Sequence, residues 1–171
     1  SPYLYCMQAT AQSPGHITGF FVIYPNGSTG AGISIEGGMK TTVAKAESGK
    51  DYFFMKGKRA LTGTKTKLIV SEKVVGLFRK KTGELGKVLV VHQTRFPIGF
   101  GLGISGAGAL SLAICLNKLF GTGLAKQEVL EIAKQAEIEC GTGLGDVVAE
   151  QFSGVIMGRK PYPSKAVARI S

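Results

Sequence analysis

Residues 97–111 read Pro-Ile-Gly-Phe-Gly-Leu-Gly-Ile-Ser-Gly-Ala-Gly-Ala-Leu-Ser, so five glycines surround the hydroxyl group of Ser105. Because glycine has no Cβ atom, the backbone N–H groups of such a loop can point at a ligand without obstruction. An apolar run follows at once, and the start of a helix carries a partial positive charge. The stretch therefore predicts a phosphate-binding loop, with Ser105 close to a phosphate-bound metal ion. The alternative is a glycine-rich turn that only allows close helix packing.

The segments before this loop are typical of β-structure. Apolar runs separated by glycine, proline and asparagine predict strands over residues 3–10, 16–24, 31–35, 41–46 and 52–55. A helical stripe over 65–82 and a covered strand over 87–93 come next. His92 lies inside that last strand, and we expect it to be structural.

Helices dominate the segments after the loop. The pattern predicts helices over 105–120 and 126–139, a short helix after Asp146, a strand over 152–158 and an irregular basic tail over 160–171. Strands first and helices later indicate an α+β fold.

Composition excludes several classes of protein. The chain has 171 residues, 44% of them hydrophobic, and no apolar run approaches the roughly 20 residues that span a bilayer. With no secretory leader in view, we expect a cytoplasmic protein and no membrane partner. Cys6, Cys115 and Cys140 form no CxxC pair, which argues against a disulfide framework or a zinc site. Buried or half-buried thiols are expected instead.

The net charge of +10 is concentrated in residues 40–87, which hold thirteen lysines or arginines against four acids. Such a stretch is compatible with a solvated face, with attraction of a nucleotide, or with nucleic-acid binding. We expect no nucleic-acid partner, because no recognisable nucleic-acid motif accompanies the charge. A homodimer is left open.

Two nucleotide motifs do not apply to the loop. Gly101, Gly103 and Gly106 satisfy GxGxxG, but a Rossmann unit needs a second strand after the first helix, and a second helix is predicted there. A Walker loop is excluded because the chain contains no Gly-Lys-Ser or Gly-Lys-Thr.

The loop resembles the phosphate-loop motif of the galactokinase, homoserine kinase, mevalonate kinase and phosphomevalonate kinase (GHMP) superfamily, Pro-x-x-x-Gly-Leu-Gly-Ser-Ser-Ala-Ala. Ile104 and Gly106 depart from it, whereas Ser105 matches the serine that faces Mg²⁺. Residues 13–19 resemble the first motif of the superfamily, and residues 141–149 resemble the segment with its catalytic aspartate. The resemblance implies the fold of the GHMP-kinase N-terminal domain, an α+β fold with a mixed sheet packed with helices.

The resemblance also implies an activity. These kinases transfer the γ-phosphoryl group of ATP, with Mg²⁺, to a small-molecule hydroxyl group. Within the superfamily, residues 14–21, 27–32 and 139–149 are most similar to the archaeal pantoate kinases, which implies pantoate as the substrate, 4-phosphopantoate as the product and a place in coenzyme A biosynthesis. The alternatives are a homoserine- or mevalonate-type kinase and, in a different class, a basic nucleic-acid-binding module.

The motif carries over to particular positions of this chain. The expected ATP and phosphate contacts are Pro97, Gly99, Gly101, Leu102, Gly103, Ile104, Ser105, Gly106 and Ala107. Ser105 and Glu137 are the expected Mg²⁺ ligands, since hard cations prefer oxygen. Glu139 is the alternative, but Glu137 is preferred because it shares a helical stripe with Leu130 and Ala133. Asp146 is expected to accept or orient the proton of the substrate hydroxyl, the alternative being an ordinary helix N-cap.

Candidates for binding the acid substrate lie near the start of the chain: His16, Thr18, Ser28, Gly30 and Gly32. A structural histidine in a turn is the alternative for His16. Arg95 is a candidate for neutralising phosphate or for a place at the rim of the site, and residues 56–68 are candidates for contacting adenine. We assign 1–158 to the ATP-binding lobe and 159–171 to a basic tail or the start of a second domain. The superfamily's third glycine-rich motif has no counterpart after Gly158, so the chain is expected to be a fragment.

Overall fold

The computed structural model describes residues 7–24, 27–47, 49–57, 68–83, 85–98, 100–142, 155–158 and 167–170. In this part of the chain the elements are β1 (Gln8–Tyr24), β2 (Gly27–Lys45), β3 (Tyr52–Gly57), α1 (Ile69–Thr82), β4 (Val88–Thr94), α2 (Ile104–Phe120), α3 (Lys126–Cys140), β5 (Val155–Gly158) and β6 (Val167–Ile170). The predicted central helices and the strand before the loop are confirmed.

The six strands form one mixed sheet in the order β3-β4-β2-β5-β6, with β1 paired to β2. β3 and β4 are parallel, and the other pairs are antiparallel. The parallel pair is possible because α1 connects the two strands as a crossover. The predicted α+β fold with a mixed sheet packed with helices is confirmed.

The prediction of separate strands over 3–10 and 16–24 was wrong for the described part, where β1 runs without a break. Its pairing with β2 shifts between Ser13 and Gly15 and again between Thr18 and Phe20. A bulge absorbs an extra residue and lets the ladder continue, so Pro14 interrupts the register but does not end the strand. The predicted strands 31–35 and 41–46 likewise belong to the single strand β2.

The irregular tail predicted over 160–171 was also wrong in part, because β6 lies within it. β6 pairs antiparallel with β5, with Val167 opposite Gly158 and Ile170 opposite Val155. Pairing with a neighbouring strand decides this conformation, and a local reading of a basic segment does not detect it.

The core lies between the sheet and the three helices, and α2 is its centre. Most residues of α2 are buried, as expected for a helix that contacts other elements on nearly every side. Its Leu112 and Leu116 pack with Phe78 of α1 and with Val43 and Val90 of the sheet. None of the helices in the described part is long and apolar enough to cross a membrane.

An ion pair joins the end of α1 to the sheet. Arg79 donates to both carboxylate oxygens of Asp51, at 2.6 and 2.8 Å, and the backbone N–H of Val88 donates to Asp51 at 2.8 Å. The Arg79 hydrogen bond holds the pKa of Asp51 below its usual value. This contact fixes α1 against the start of β4.

Two cysteines are described, and both are free thiols. Burial raises the pKa of Cys115 to about 12. Cys140 is half-buried, and burial raises its pKa as well. The expectation of buried or half-buried thiols is confirmed for these two, and Cys6 lies outside the described residues.

Candidate functional site

The glycine loop leads directly into α2. Gly103, the N-cap residue, lies in the left-handed region at φ 62° and ψ 17°, and Gly101 has φ 72°. A side chain is strained in this region, so the turn requires glycine. No side-chain hydrogen bond caps α2, and the first-turn amides of a helix have no acceptor within it. The loop therefore presents N–H donors and the positive end of a helix dipole.

Contacts beneath the loop hold it in place. Leu102 and Ile98 pack against a buried cluster formed by Met39, Ile104 and Ala107. The backbone N–H of His16 donates to the carbonyl of Leu102 at 2.9 Å. The structure thus joins the first predicted motif to the glycine loop. Pro97 is half-buried beside these residues, and Gly99 lies outside the described part.

Ser105 meets Glu137 where the start of α2 lies beside the end of α3. The Ser105 hydroxyl donates to Glu137 Oε1 at 2.6 Å, and Glu137 is 2% exposed. Glu139 points elsewhere and forms an ion pair with Lys73 at 3.0 Å. The structure brings Ser105 together with Glu137 and not with Glu139.

The two oxygen donors fit a magnesium ion. Neighbouring ligands of an octahedral Mg²⁺ lie about 2.9 Å apart, because each Mg–O bond is about 2.05 Å long. The observed separation of 2.6 Å needs only a small adjustment to admit the ion. Mg²⁺ commonly takes one or two protein ligands and completes its shell with phosphate oxygens and water. Metal binding at this pair stays a prediction.

The predicted catalytic aspartate follows α3 in the sequence. Gly141 ends α3 in the left-handed region, and Thr142 N–H donates to the carbonyl of Glu137 at 3.1 Å. Asp146 itself lies outside the described residues, and its role stays a prediction.

A cavity of about 310 Å³ opens beside Ser105. Its walls include Ser105, Gly108 and Ile98 on the side of the loop, and Met55, Leu68 and Ile69 on the other. Ligand sites are concave, mostly apolar and of at least this size, with a few polar groups that fix orientation. Met55 precedes the segment predicted to contact adenine, and Leu68 is the last residue of that segment, most of which lies outside the described residues.

Buried polar side chains line the far side of this cavity. Ser71 Oγ lies 2.8 Å from His92 Nε2, and His92 Nδ1 lies 2.7 Å from Thr41 Oγ1. Burial lowers the pKa of His92 to about 4, so the imidazole is neutral near pH 7. His92 was expected to be structural because it lies in an apolar strand, and no sequence signal indicates its contact with a candidate ligand cavity.

Three of the five candidates for binding an acid substrate lie together on the β1–β2 ribbon. A Cβ atom on Gly32 would be 2.4 Å from His16 Nε2, so the imidazole occupies the space that any side chain there would need. Thr18 pairs with Gly32 across the two strands. Gly30 and Ser28 lie farther along β2, opposite Phe21 and Ile23. Their roles stay predictions.

Two basic residues lie on segments that carry the site: Arg95 follows β4, and Lys134 belongs to α3. Arg95 is exposed, and its Nη2 atom lies 3.0 Å from the Cβ position of Gly37, which has φ +77°. Lys134, one turn before Glu137 on α3, is 7% exposed, and burial lowers its pKa. Sequence reasoning missed Lys134, because the apolar stripe of α3 predicts core positions and not a buried cation.

The model of the family described as GHMP kinases N terminal domain matches residues 68–154. This match covers α1, the glycine loop and the Ser105–Glu137 pair. The chain belongs to the GHMP kinase family.

Two curated relatives are similar to this chain over most of its length. The pantoate kinase of Methanocaldococcus jannaschii is 37% identical over 155 residues, 87% of this chain and 53% of the relative. The pantoate kinase of Methanospirillum hungatei is 29% identical over 95% of this chain and 57% of the relative. The chain therefore spans about half the length of these curated relatives.

Solved structures agree with the fold. A structure described as a phosphotransferase related to the CoA biosynthesis pathway has a TM-score of 0.76 and 28% identity, covering 96% of this chain and 58% of that one. A mevalonate kinase from Staphylococcus aureus has a TM-score of 0.67 and 20% identity over 95% of this chain and 55% of its own, which shows the fold alone.

Proposed function

We propose that the protein is an ATP-dependent kinase that phosphorylates a hydroxyl group of pantoate, with Mg²⁺. The observation that carries the proposal is the 2.6 Å contact of Ser105 with the buried Glu137 carboxylate, at the start of a helix that no side chain caps. The substrate is inferred from the 37% identity to the pantoate kinase of M. jannaschii.

The loop accounts for binding of the nucleotide. The first-turn amides of α2 donate hydrogen bonds to phosphate oxygens, and the helix dipole favours their negative charge. The apolar walls of the neighbouring cavity receive the remainder of the nucleotide. Ser105 Oγ and the Glu137 carboxylate hold Mg²⁺, and this ion neutralises negative charge on the phosphate groups.

The acceptor side of the reaction involves the β1–β2 ribbon and Asp146. The His16 imidazole and the Thr18 hydroxyl donate to the acid substrate and orient it. The pantoate hydroxyl oxygen bonds to the γ-phosphorus of ATP as the bond to ADP breaks. The hydroxyl proton passes to the Asp146 carboxylate, or Asp146 orients it for transfer.

The test is an assay of ADP release by the protein at its natural length, given ATP, Mg²⁺ and pantoate. We expect ADP and 4-phosphopantoate in equal amounts, and no ADP when EDTA is present. Homoserine and mevalonate, in parallel reactions, distinguish the two other kinase types. Absence of ADP release with pantoate overturns the proposal, and ADP release with homoserine or mevalonate alone assigns the activity to that kinase type instead.

The nucleic-acid alternative has less support in the described residues. Lys73, Arg79 and Lys81 on α1 belong to the basic stretch, and each forms an ion pair with an acidic side chain. Pairing of this kind reduces the charge available to phosphate backbones. Steeply salt-dependent retention on DNA or RNA, unaffected by nucleotide, would favour the alternative.

A further inference from the structure

Four buried polar side chains form a continuous chain of hydrogen bonds between α1 and α2. Ser71 on α1 contacts His92 Nε2 at 2.8 Å, and His92 Nδ1 contacts Thr41 at 2.7 Å. Thr41 contacts Ser111 on α2 at 2.6 Å, and Ser111 donates to the Gly108 carbonyl at 3.2 Å. The four residues are between 0% and 6% exposed. We call this set the His92 chain.

One direction of these bonds gives every member a partner. In it Ser111 donates to the Gly108 carbonyl and the Thr41 hydroxyl donates to Ser111. His92 Nδ1 then carries the imidazole proton and donates to Thr41. Since a neutral imidazole has a single N–H, Nε2 accepts from Ser71. With His92 in this tautomer, each of the four side chains has its hydrogen-bond partners.

Both ends of the His92 chain lie at the cavity beside Ser105, because Ser71 and Gly108 line it. Ser71 lies in the first turn of α1, and Leu68, Ile69 and Val70 of the same segment also line the cavity. Gly108 lies one turn after Ser105 on α2, and its Cβ position is 3.8 Å from His92 Cε1. No side-chain hydrogen bond caps α1, and the Ser71 hydroxyl is a polar link between the first turn of the helix and the sheet.

We propose that His92 is a positioning residue for the nucleotide: its neutral imidazole holds the first turn of α1 at a fixed distance from the start of α2. This inference rests on the proposed function, because it assigns the nucleotide to the cavity between the two helices. A fully satisfied buried network rigidifies the elements that it joins. Breaking one bond of the chain lets the walls relax and weakens nucleotide binding.

Valine has the shape of threonine without the hydroxyl group, so Thr41→Val breaks the chain at nearly constant volume. Thr42→Val is the matched control, because Thr42 is the next residue of β2 and bonds to Thr10 at 3.0 Å. Thr41→Ser keeps the hydroxyl and serves as the rescue variant. Binding of a nonhydrolysable ATP analogue with Mg²⁺ is measured by calorimetry, together with KM for ATP and kcat.

We expect Thr41→Val to raise the Kd of the analogue and the KM for ATP about 2- to 30-fold, in the range of couplings carried by packed networks. In Thr41→Val, kcat at saturating ATP stays within about twofold of the value for the unmodified protein. In Thr42→Val and Thr41→Ser, Kd stays within about twofold of the unmodified value. Ser71→Val breaks the His92 chain at its other end and should raise Kd and KM as Thr41→Val does. It tests the inference independently if Thr41→Val fails to fold. NMR of the imidazole nitrogens should show the His92 proton on Nδ1.

Several results would overturn the inference. An unchanged Kd in folded Thr41→Val or Ser71→Val reduces the chain to a structural feature, and so does an equal rise in Kd in Thr42→Val. A proton on His92 Nε2 contradicts the assigned direction of the bonds. Failure of the unmodified protein to bind the analogue refutes the proposed function as well, whereas binding that no variant alters refutes this inference alone.

Discussion

The Glu137→Gln variant distinguishes two possible roles of the Glu137 carboxylate: a metal ligand and a purely structural group. Glutamine preserves the volume of the side chain and an oxygen that accepts from Ser105, whose hydroxyl lies 2.6 Å away. Because the hydrogen bond is kept, we expect the free energy of unfolding without nucleotide to fall by no more than about 1 kcal/mol. The lost negative charge weakens only the binding of the Mg²⁺–nucleotide complex.

The size of that effect follows from linkage between binding and unfolding. At a nucleotide concentration of about 100 times its Kd, the unmodified protein gains about 2.7 kcal/mol of stability. If the variant binds about 100-fold more weakly, the same concentration adds only about 0.4 kcal/mol. The difference of roughly 2 kcal/mol is easily measured.

The assay is urea unfolding with and without the nonhydrolysable ATP analogue and Mg²⁺. Glu139→Gln is the matched control, since Glu139 is two residues away on α3, with its side chain 35% exposed and paired to Lys73. It should change neither the stability without nucleotide nor the gain in stability from nucleotide, because exposed ion pairs contribute little. A Glu137→Gln variant that loses stability without nucleotide and keeps the full nucleotide gain would refute the metal role.

Further predictions concern the catalytic aspartate, the ion pair on α1 and the buried histidine. Asp146→Asn should lower kcat by about 100-fold or more while leaving Kd for the ATP analogue nearly unchanged; unchanged turnover would make Asp146 a helix cap. Asp51→Asn should cost about 1–3 kcal/mol at pH 7, because it breaks the charged contact with Arg79. Since the pKa of Asp51 is lowered, this contribution is complete above about pH 4 and is lost as pH falls through the lowered pKa, so the two unfolding curves should converge in acid. In the unfolded chain His92 binds a proton below about pH 6.5, and in the folded protein only below about pH 4. As pH falls through that window, the free energy of unfolding should therefore decrease by up to about 3 kcal/mol. His92→Gln should remove this part of the pH dependence, and an identical profile in the variant would contradict the assignment.

Local signals predicted the helices well. Gly121 and Gly141 end α2 and α3 in the left-handed region, and both are visible in the sequence as stop signals. The predicted ends of these helices lie within one residue of Phe120 and Cys140. The strands were harder, because bulges keep β1 and β2 continuous where turn residues predicted breaks.

The sequence predicted the candidate site only where the pattern lies within a single helix, strand or loop. Helical spacing favoured Glu137 over Glu139, and the structure brings Glu137 to Ser105. The His92 chain was not predictable, since it joins four elements whose contacts depend on the packing of the whole sheet. Its residues are ordinary serine, threonine and histidine positions within apolar segments.

The most direct measurement is a crystal structure of the protein with Mg²⁺ and a nonhydrolysable ATP analogue. We predict phosphate oxygens within hydrogen-bond distance of the amides of residues 103–106, which precede the first intrahelical donor, Ala107, and the ion bound by Ser105 Oγ and the Glu137 carboxylate. A triphosphate bound elsewhere, with these amides and the Ser105–Glu137 contact unchanged, would contradict the proposed nucleotide site.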